Sequence, residues 1–172
     1  MNYADIKKTD VSNGTGIRVS LFVSGCRHRC KGCFNEDAWN FNYGEYYDNH
    51  AKEYIIYLLK RPYIRGLSLL GGEPLEPENQ RDVLELILEV KKRVRKKDIW
   101  LYTGYKYEHL IRDMNTPYIH DILNNIDVLV DGKFEIDRLD LKLKFRGSSN
   151  QRIIDMNRTF GDNIYILSDQ EV

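Results

Sequence analysis

Three short apolar runs of this sequence each pass straight into a polar, glycine-containing cluster. Leu67–Leu70 leads into Gly71-Gly72-Glu73-Pro74, Ile99–Tyr102 into Thr103-Gly104-Tyr105, and Asp127–Val130 into Asp131-Gly132-Lys133. Short apolar runs closed by turn residues read as buried strands. Helical spacing fills the intervals. Ala51–Lys60 places apolar residues at 51, 54, 55, 58 and 59 on one side and is stopped by Pro62. A longer stretch opens at Pro77 and runs to about Lys97, with Val83, Leu86, Ile87, Val90 and Val94 inward. This alternation predicts an α/β domain with a mainly parallel sheet. In such a sheet the three polar clusters share one rim, the carboxyl end, where these folds bind ligands.

Ile17–Val23, apolar at every second position, reads as the first strand. Helices are expected at Tyr107–Arg112 and His120–Asn124, and further strands near Leu143–Phe145, Ile153–Ile154 and Ile164–Leu167. The chain of 172 residues shows no linker, repeat or low-complexity tract, so residues 1–172 are expected to form a single domain. Its formal net charge is zero, which gives no global field to recruit nucleic acid or an anionic membrane. The basic block from Lys91 to Lys97 closes the long helical stretch and reads as its solvated carbonyl end. Charged residues at positions 5, 7, 8 and 10 interrupt any secretory signal near the N-terminus, and no apolar run is long enough to span a bilayer, so a cytoplasmic location is expected. The twelve tyrosines show no spacing that suggests a radical relay.

All three cysteines, Cys26, Cys30 and Cys33, fall within eight residues. A disulfide framework suits neither the odd count nor a reducing compartment. Two metal readings remain. A structural zinc site needs four protein ligands and would have to recruit His28, whose place between two cysteines suits a loop residue, or a distant histidine such as His50, His109 or His120. A 4Fe-4S cubane held by three thiolates keeps one iron open, and an open iron can bind a substrate. The cysteine segment follows the first strand on the same rim as the three polar clusters.

The Cys26-x3-Cys30-x2-Cys33 loop after the first strand, followed about forty residues later by Gly71-Gly72-Glu73-Pro74, resembles the radical S-adenosylmethionine superfamily. Finer motifs narrow the resemblance: Asn13-Gly14-Thr15-Gly16-Ile17-Arg18, Phe22 to Cys26, Gly32-Cys33-Phe34-Asn35, Asp131-Gly132-Lys133-Phe134 and Arg146-Gly147-Ser148-Ser149-Asn150-Gln151. Together they are similar to the activating proteins of anaerobic (class III) ribonucleoside-triphosphate reductases, over nearly the whole chain.

The resemblance implies a partial, open β/α barrel of the radical SAM type, since a complete eight-unit barrel needs roughly 200 residues or more. It implies Cys26, Cys30 and Cys33 as ligands of a 4Fe-4S cluster whose fourth iron is chelated by S-adenosyl-L-methionine. Gly71, Gly72 and Glu73 would meet the methionine end, the Glu73 carboxylate receiving its ammonium. Gly32 and Phe34 would contact the adenosyl part, and Thr103 and Asp131 the ribose or the ammonium. The implied partners are the large catalytic subunit of an anaerobic ribonucleotide reductase, which would receive a glycyl radical, and flavodoxin or a similar one-electron donor. Asn13–Gly16 and Arg146–Gln151 are candidates for the rim of the open side. The competing readings are an activase of another glycyl radical enzyme of the pyruvate formate-lyase type, a small radical enzyme acting on a metabolite, and a non-catalytic zinc-binding module.

Overall fold

The computed structural model describes residues 1–172. In chain order its elements are β1 (Asn2–Asp10), β2 (Ile17–Val23), β3 (Glu45–Tyr46), α1 (Asn49–Leu59), β4 (Ile64–Gly71), α2 (Pro77–Arg93), β5 (Asp98–Tyr102), α3 (Tyr107–Arg112), α4 (Ile119–Asn125), β6 (Val128–Asp131) and β7 (Arg152–Asp155). Turns of 3-10 helix lie at Glu36–Trp39 and Ile136–Arg138. The seven strands form one sheet in the order β3-β1-β2-β4-β5-β6-β7. The four central strands, β2, β4, β5 and β6, run parallel, while β1, β3 and β7 join antiparallel at the margins.

Strict alternation along the central strands separates two faces. Val19, Leu21, Val23, Leu67, Leu69, Ile99, Leu101, Leu129 and Ile154 point into the larger core, which they share with the apolar sides of α1, α2, α3 and α4. The other face carries Arg18, Ser20, Ser68, Trp100 and Tyr102 among apolar residues, with a smaller core of Trp100, Val128, Val130, Ile153 and Leu167 at one side. The strand order of the parallel set never reverses along the chain, so the helices gather on one face and leave the second face to the site.

Local chemistry accounts for the helix ends. The Asp48 carboxylate caps α1 by accepting from Ala51 N at 3.0 Å. Pro77 opens α2, whose missing N–H has no partner to lose there. That helix stops at Arg93 rather than near Lys97. Val94 leaves helical geometry, and Lys97 turns back so that its ammonium bonds the carbonyls of Arg61, at 3.0 Å, and Ile64. The basic block is therefore only partly a solvated helix end, since Arg93 also pairs with Glu53 at 2.6 Å.

Other expectations change. Ile17–Val23 is the second strand, because Asn2–Asp10 precedes it in the sheet. Leu143–Phe145 forms no strand: the segment crosses the second face as an irregular strap, with the Phe145 ring edge-on to Trp100 at 5.5 Å. Ile164–Leu167 contributes one isolated bridge, Ile166 to Ile154. No helix is long and apolar enough to cross a membrane.

Candidate metal centre

The loop after β2 carries the three thiols. Gly25 begins it at φ +95, a left-handed conformation open to glycine, and a side chain there would run into the Phe41 ring. Cys26 is buried, and Cys30 and Cys33 are half-buried. Burial pushes the Cys26 thiol up to about 11, against the amides of His28 and Arg29 that point at its sulfur. Cys30 is also raised by burial and receives the Phe134 amide, and Asn35 N donates to the Cys33 sulfur at 3.4 Å. Each sulfur thus has a backbone N–H directed at it, the setting that stabilises a thiolate bound to iron.

A buried polar network clamps this loop to the following motif. Glu73 N donates to Gly25 O at 2.8 Å and Gly72 N to Val23 O at 2.7 Å. The Glu73 carboxylate, fully buried, accepts from Leu75 N at 2.9 Å, Thr103 Oγ1 at 3.0 Å and Gly104 N at 2.8 Å, and meets His28 Nε2 at 2.8 Å. Glu76 takes Arg27 N at 2.7 Å and pairs with its guanidinium at 2.6 Å. Asn79 bridges the carbonyls of Ser24 and Glu73, both at 3.0 Å. His28 accordingly packs against Tyr105, ring to ring at 4.4 Å, and serves as a fixed loop residue.

A cavity of about 340 Å³ opens above the carboxyl ends of the parallel strands, within the size range of small-molecule sites, about 300–1,000 Å³. Cys26, Cys30, Cys33, Phe34, Gly71, Gly72 and Thr103 line it together. The rim motifs also reach it through Asn13, Arg146, Gly147 and Gln151, with Ser12 just outside them. Gly32, Glu73 and Asp131 do not line it. Gly32 is a left-handed turn beneath Ile136. The Glu73 carboxylate takes its donors from its own chain, at Leu75, Thr103, Gly104 and His28. Asp131 is likewise engaged: Oδ2 accepts from Tyr107 N at 2.8 Å and Oδ1 from Arg152 Nε at 2.9 Å. Gly72 is also fixed by packing, since a Cβ there would sit 2.7 Å from Gly25 O and 2.8 Å from Ala38 O. Phe34 stands 70% exposed at the mouth, tilted against Phe134 at 5.3 Å.

Sequence reasoning missed Tyr102 and Trp39. Both line the cavity, and their buried Tyr102 hydroxyl and Trp39 Nε1 have no partner in the protein; Arg146 Nε is in the same state. Tyr102 was open to discovery from strand alternation, because it follows Trp100 on the face away from the helices; nothing local marks Trp39. The donor set and these unpartnered groups fit an iron–sulfur cluster with a polar organic ligand. Three soft thiolates with no fourth cysteine in the chain suit a cubane with one iron free of protein thiolate. A closed zinc site lacks its fourth ligand. His28 Nε2 faces Glu73, His50 projects into solvent, and His109 pairs with Asp113 at 3.1 Å, while His120 borders a separate groove with Met156 and Phe160.

Comparison with known proteins agrees with this geometry. A family model described as a 4Fe-4S single cluster domain matches residues 12–154. The chain is 44% identical over 155 residues to the anaerobic ribonucleoside-triphosphate reductase-activating protein of Haemophilus influenzae, covering 89% of this chain and 97% of that one. It is 46% identical to the protein of the same name from Vibrio cholerae, with the same coverage. The counterpart of Enterobacteria phage T4 is 42% identical over 153 residues, 89% of this chain and 93% of the phage protein. At that identity over nearly full length, the chain belongs to the family of anaerobic ribonucleoside-triphosphate reductase-activating proteins.

Proposed function

We propose that this chain is a radical S-adenosylmethionine oxidoreductase that places a glycyl radical on the large catalytic subunit of an anaerobic ribonucleotide reductase. The observation that carries this is the convergence of three thiols, without a fourth, on a cavity of small-molecule size at the carboxyl rim of four parallel strands. Cys26, Cys30 and Cys33 hold the 4Fe-4S cluster. When bound, that cluster supplies one electron to the sulfonium of S-adenosylmethionine, whose carbon–sulfur bond breaks to methionine and the 5′-deoxyadenosyl radical that takes hydrogen from a glycine of the reductase.

The chain's own residues bind, orient and exclude water. Gly71 and Gly72 bring the backbone of the β4 rim against the cluster loop and meet the methionine end, while Thr103 and Phe34 meet the remainder of the cofactor. Glu73, His28 and Glu76 act one layer behind, holding the loop on which the thiols sit; Asp131 does the same for the start of α3. Tyr102, Trp39 and Arg146 offer the unpartnered donors that a ribose, a base or a peptide carbonyl takes up. The unreversed strand order and the one-sided helix layer support a single domain shaped as a partial, open barrel of the radical SAM type. The open side is the way in for a loop of another protein. Flavodoxin or a similar carrier is the electron donor, and the cytoplasm is the expected location.

Electron spin resonance tests the reading. The anaerobically reconstituted protein, reduced and mixed with S-adenosylmethionine and an anaerobic reductase large subunit, is expected to give a glycine-centred doublet. Cys30→Ala is expected to abolish that signal. A colourless protein with one zinc per chain, or a doublet that persists in Cys30→Ala, overturns it.

A further inference from the structure

We infer that the outer edge of the cluster loop at Cys30 is the docking site of an acidic one-electron carrier protein, held by Arg29, Lys31 and Lys133. This rests on the reading that the three thiols hold an iron–sulfur cluster. An electron crosses between proteins only over a short gap, so the carrier must sit where the thiols come nearest the surface. Cys26 is buried, which leaves the edges of Cys30 and Cys33.

Charge distinguishes those two edges. The loop from Cys26 to Cys33 contains three cations and no acid. Arg27 is held by Glu76 and Glu78 and lies over the Phe41 ring. Arg29 and Lys31 are exposed and join no ion pair. Lys133 comes from a different part of the chain, after β6, and directly precedes Phe134, which lines the cavity together with Cys30. It too is exposed and unpaired, since the neighbouring Glu135 pairs with Arg138 at 3.4 Å. Cations from two separate segments therefore flank the edge of the cavity at Cys30. On the Cys33 side lie the exposed acids Glu36 and Asp37, which border a second depression with Cys33.

Backbone geometry adds a second observation. Arg29 sits at φ +47, one of only two non-glycine residues in the left-handed region. Glycine or asparagine relieves that conformation, yet the position carries an exposed arginine.

None of the three cations lines the cavity, so a partner held by them leaves the space for the target glycine free. With a net charge of zero, the chain has no overall field to orient a carrier, and a local patch has to do it. The step itself is simple. One electron leaves the carrier's reduced flavin and enters the iron–sulfur group; the flavin is oxidised by one electron, and no bond forms or breaks.

The test uses the reconstituted holoprotein and reduced flavodoxin as probe. Affinity is read by titration, and the rate of cluster reduction by stopped-flow absorbance over a range of salt. Arg29→Glu combined with Lys133→Glu is expected to weaken flavodoxin binding at least tenfold at low salt and to flatten the salt dependence of the rate. Iron content and reduction by dithionite are expected to stay at the wild-type level. Lys31→Glu alone provides the same reading with a smaller loss, should the double variant fail to fold. Glu36→Lys with Asp37→Lys is expected to leave flavodoxin affinity undiminished. Unchanged flavodoxin affinity in the charge-reversed variants, or a loss of reductase affinity in its place, overturns the docking site alone. A wild-type protein that binds no iron overturns the cluster reading as well.

Discussion

Single residues in this protein are constrained by what stands directly behind them. Gly72 is the clearest case. Its would-be Cβ meets two backbone carbonyls, Gly25 O and Ala38 O, and neither can move without shifting the loop that carries the thiols. Gly132 differs: φ is +97, yet a Cβ there finds nothing nearer than 3.7 Å. Gly72→Ala is therefore expected to destabilise the iron-free protein by about 1–3 kcal/mol through overpacking. Gly132→Ala is expected to cost only the backbone term, about 1–2 kcal/mol. Urea unfolding midpoints of the two variants check the order, and a Gly72→Ala protein as stable as wild type would contradict the packing argument. Glu73 follows the same logic in polar form: a buried carboxylate is tolerable because donors from three segments surround it.

At the scale of elements, Arg18 ties β2, β4 and the loop before β2 together. Fully buried, it donates from Nε to Ser68 Oγ at 2.7 Å, from Nη1 to Thr15 O at 3.1 Å and from Nη2 to Leu67 O at 2.8 Å, and lies 2.6 Å from the Asp98 carboxylate. Arg18→Met removes a buried charge from that carboxylate, a change worth about 3–5 kcal/mol. Asp98 keeps Arg65 at 2.9 Å, so the low end of that range is expected. Hydrogen exchange should show loosening centred on residues 12–16, a local signature that a uniform loss of stability would not give. A second tie joins α3 to β6 and β7. Arg152 spans Asp131 and Glu108, and its hydrogen bonds hold the Glu108 carboxyl down to about 2 from an ordinary 4.5. A folded-state pKa below the unfolded one gives stability that is complete above about pH 4.5 and is lost as pH falls toward 2. Glu108→Gln is expected to make the fall in unfolding midpoint between pH 6 and pH 3 shallower. A fall of wild-type depth would show that the pair contributes nothing.

Across the whole molecule, the central parallel strands and the larger helices were legible in the sequence because burial on both faces leaves compact apolar runs and one-sided helical stripes. β1 was not. Its pairing with β2 shifts register between Tyr3 and Asp5 and again between Lys7 and Asp10, which breaks the alternation that marks a strand. Lys142-Leu143-Lys144-Phe145 shows the opposite failure. It alternates like a strand, but β7 already occupies the sheet margin beside β6, and Phe145 is drawn onto Trp100 instead. The sequence by itself determined the chemistry: three thiols at fixed spacing, no fourth, and polar turns after parallel strands. Those features are local, set by covalent order and by strand periodicity. Tertiary structure alone decided which groups face the cavity and which stand behind it. His28, Thr103 and Gly104 all reach Glu73 from positions 30 to 45 residues away. Whether a carboxylate is free for a ligand depends on those distant donors, and only folding brings them together.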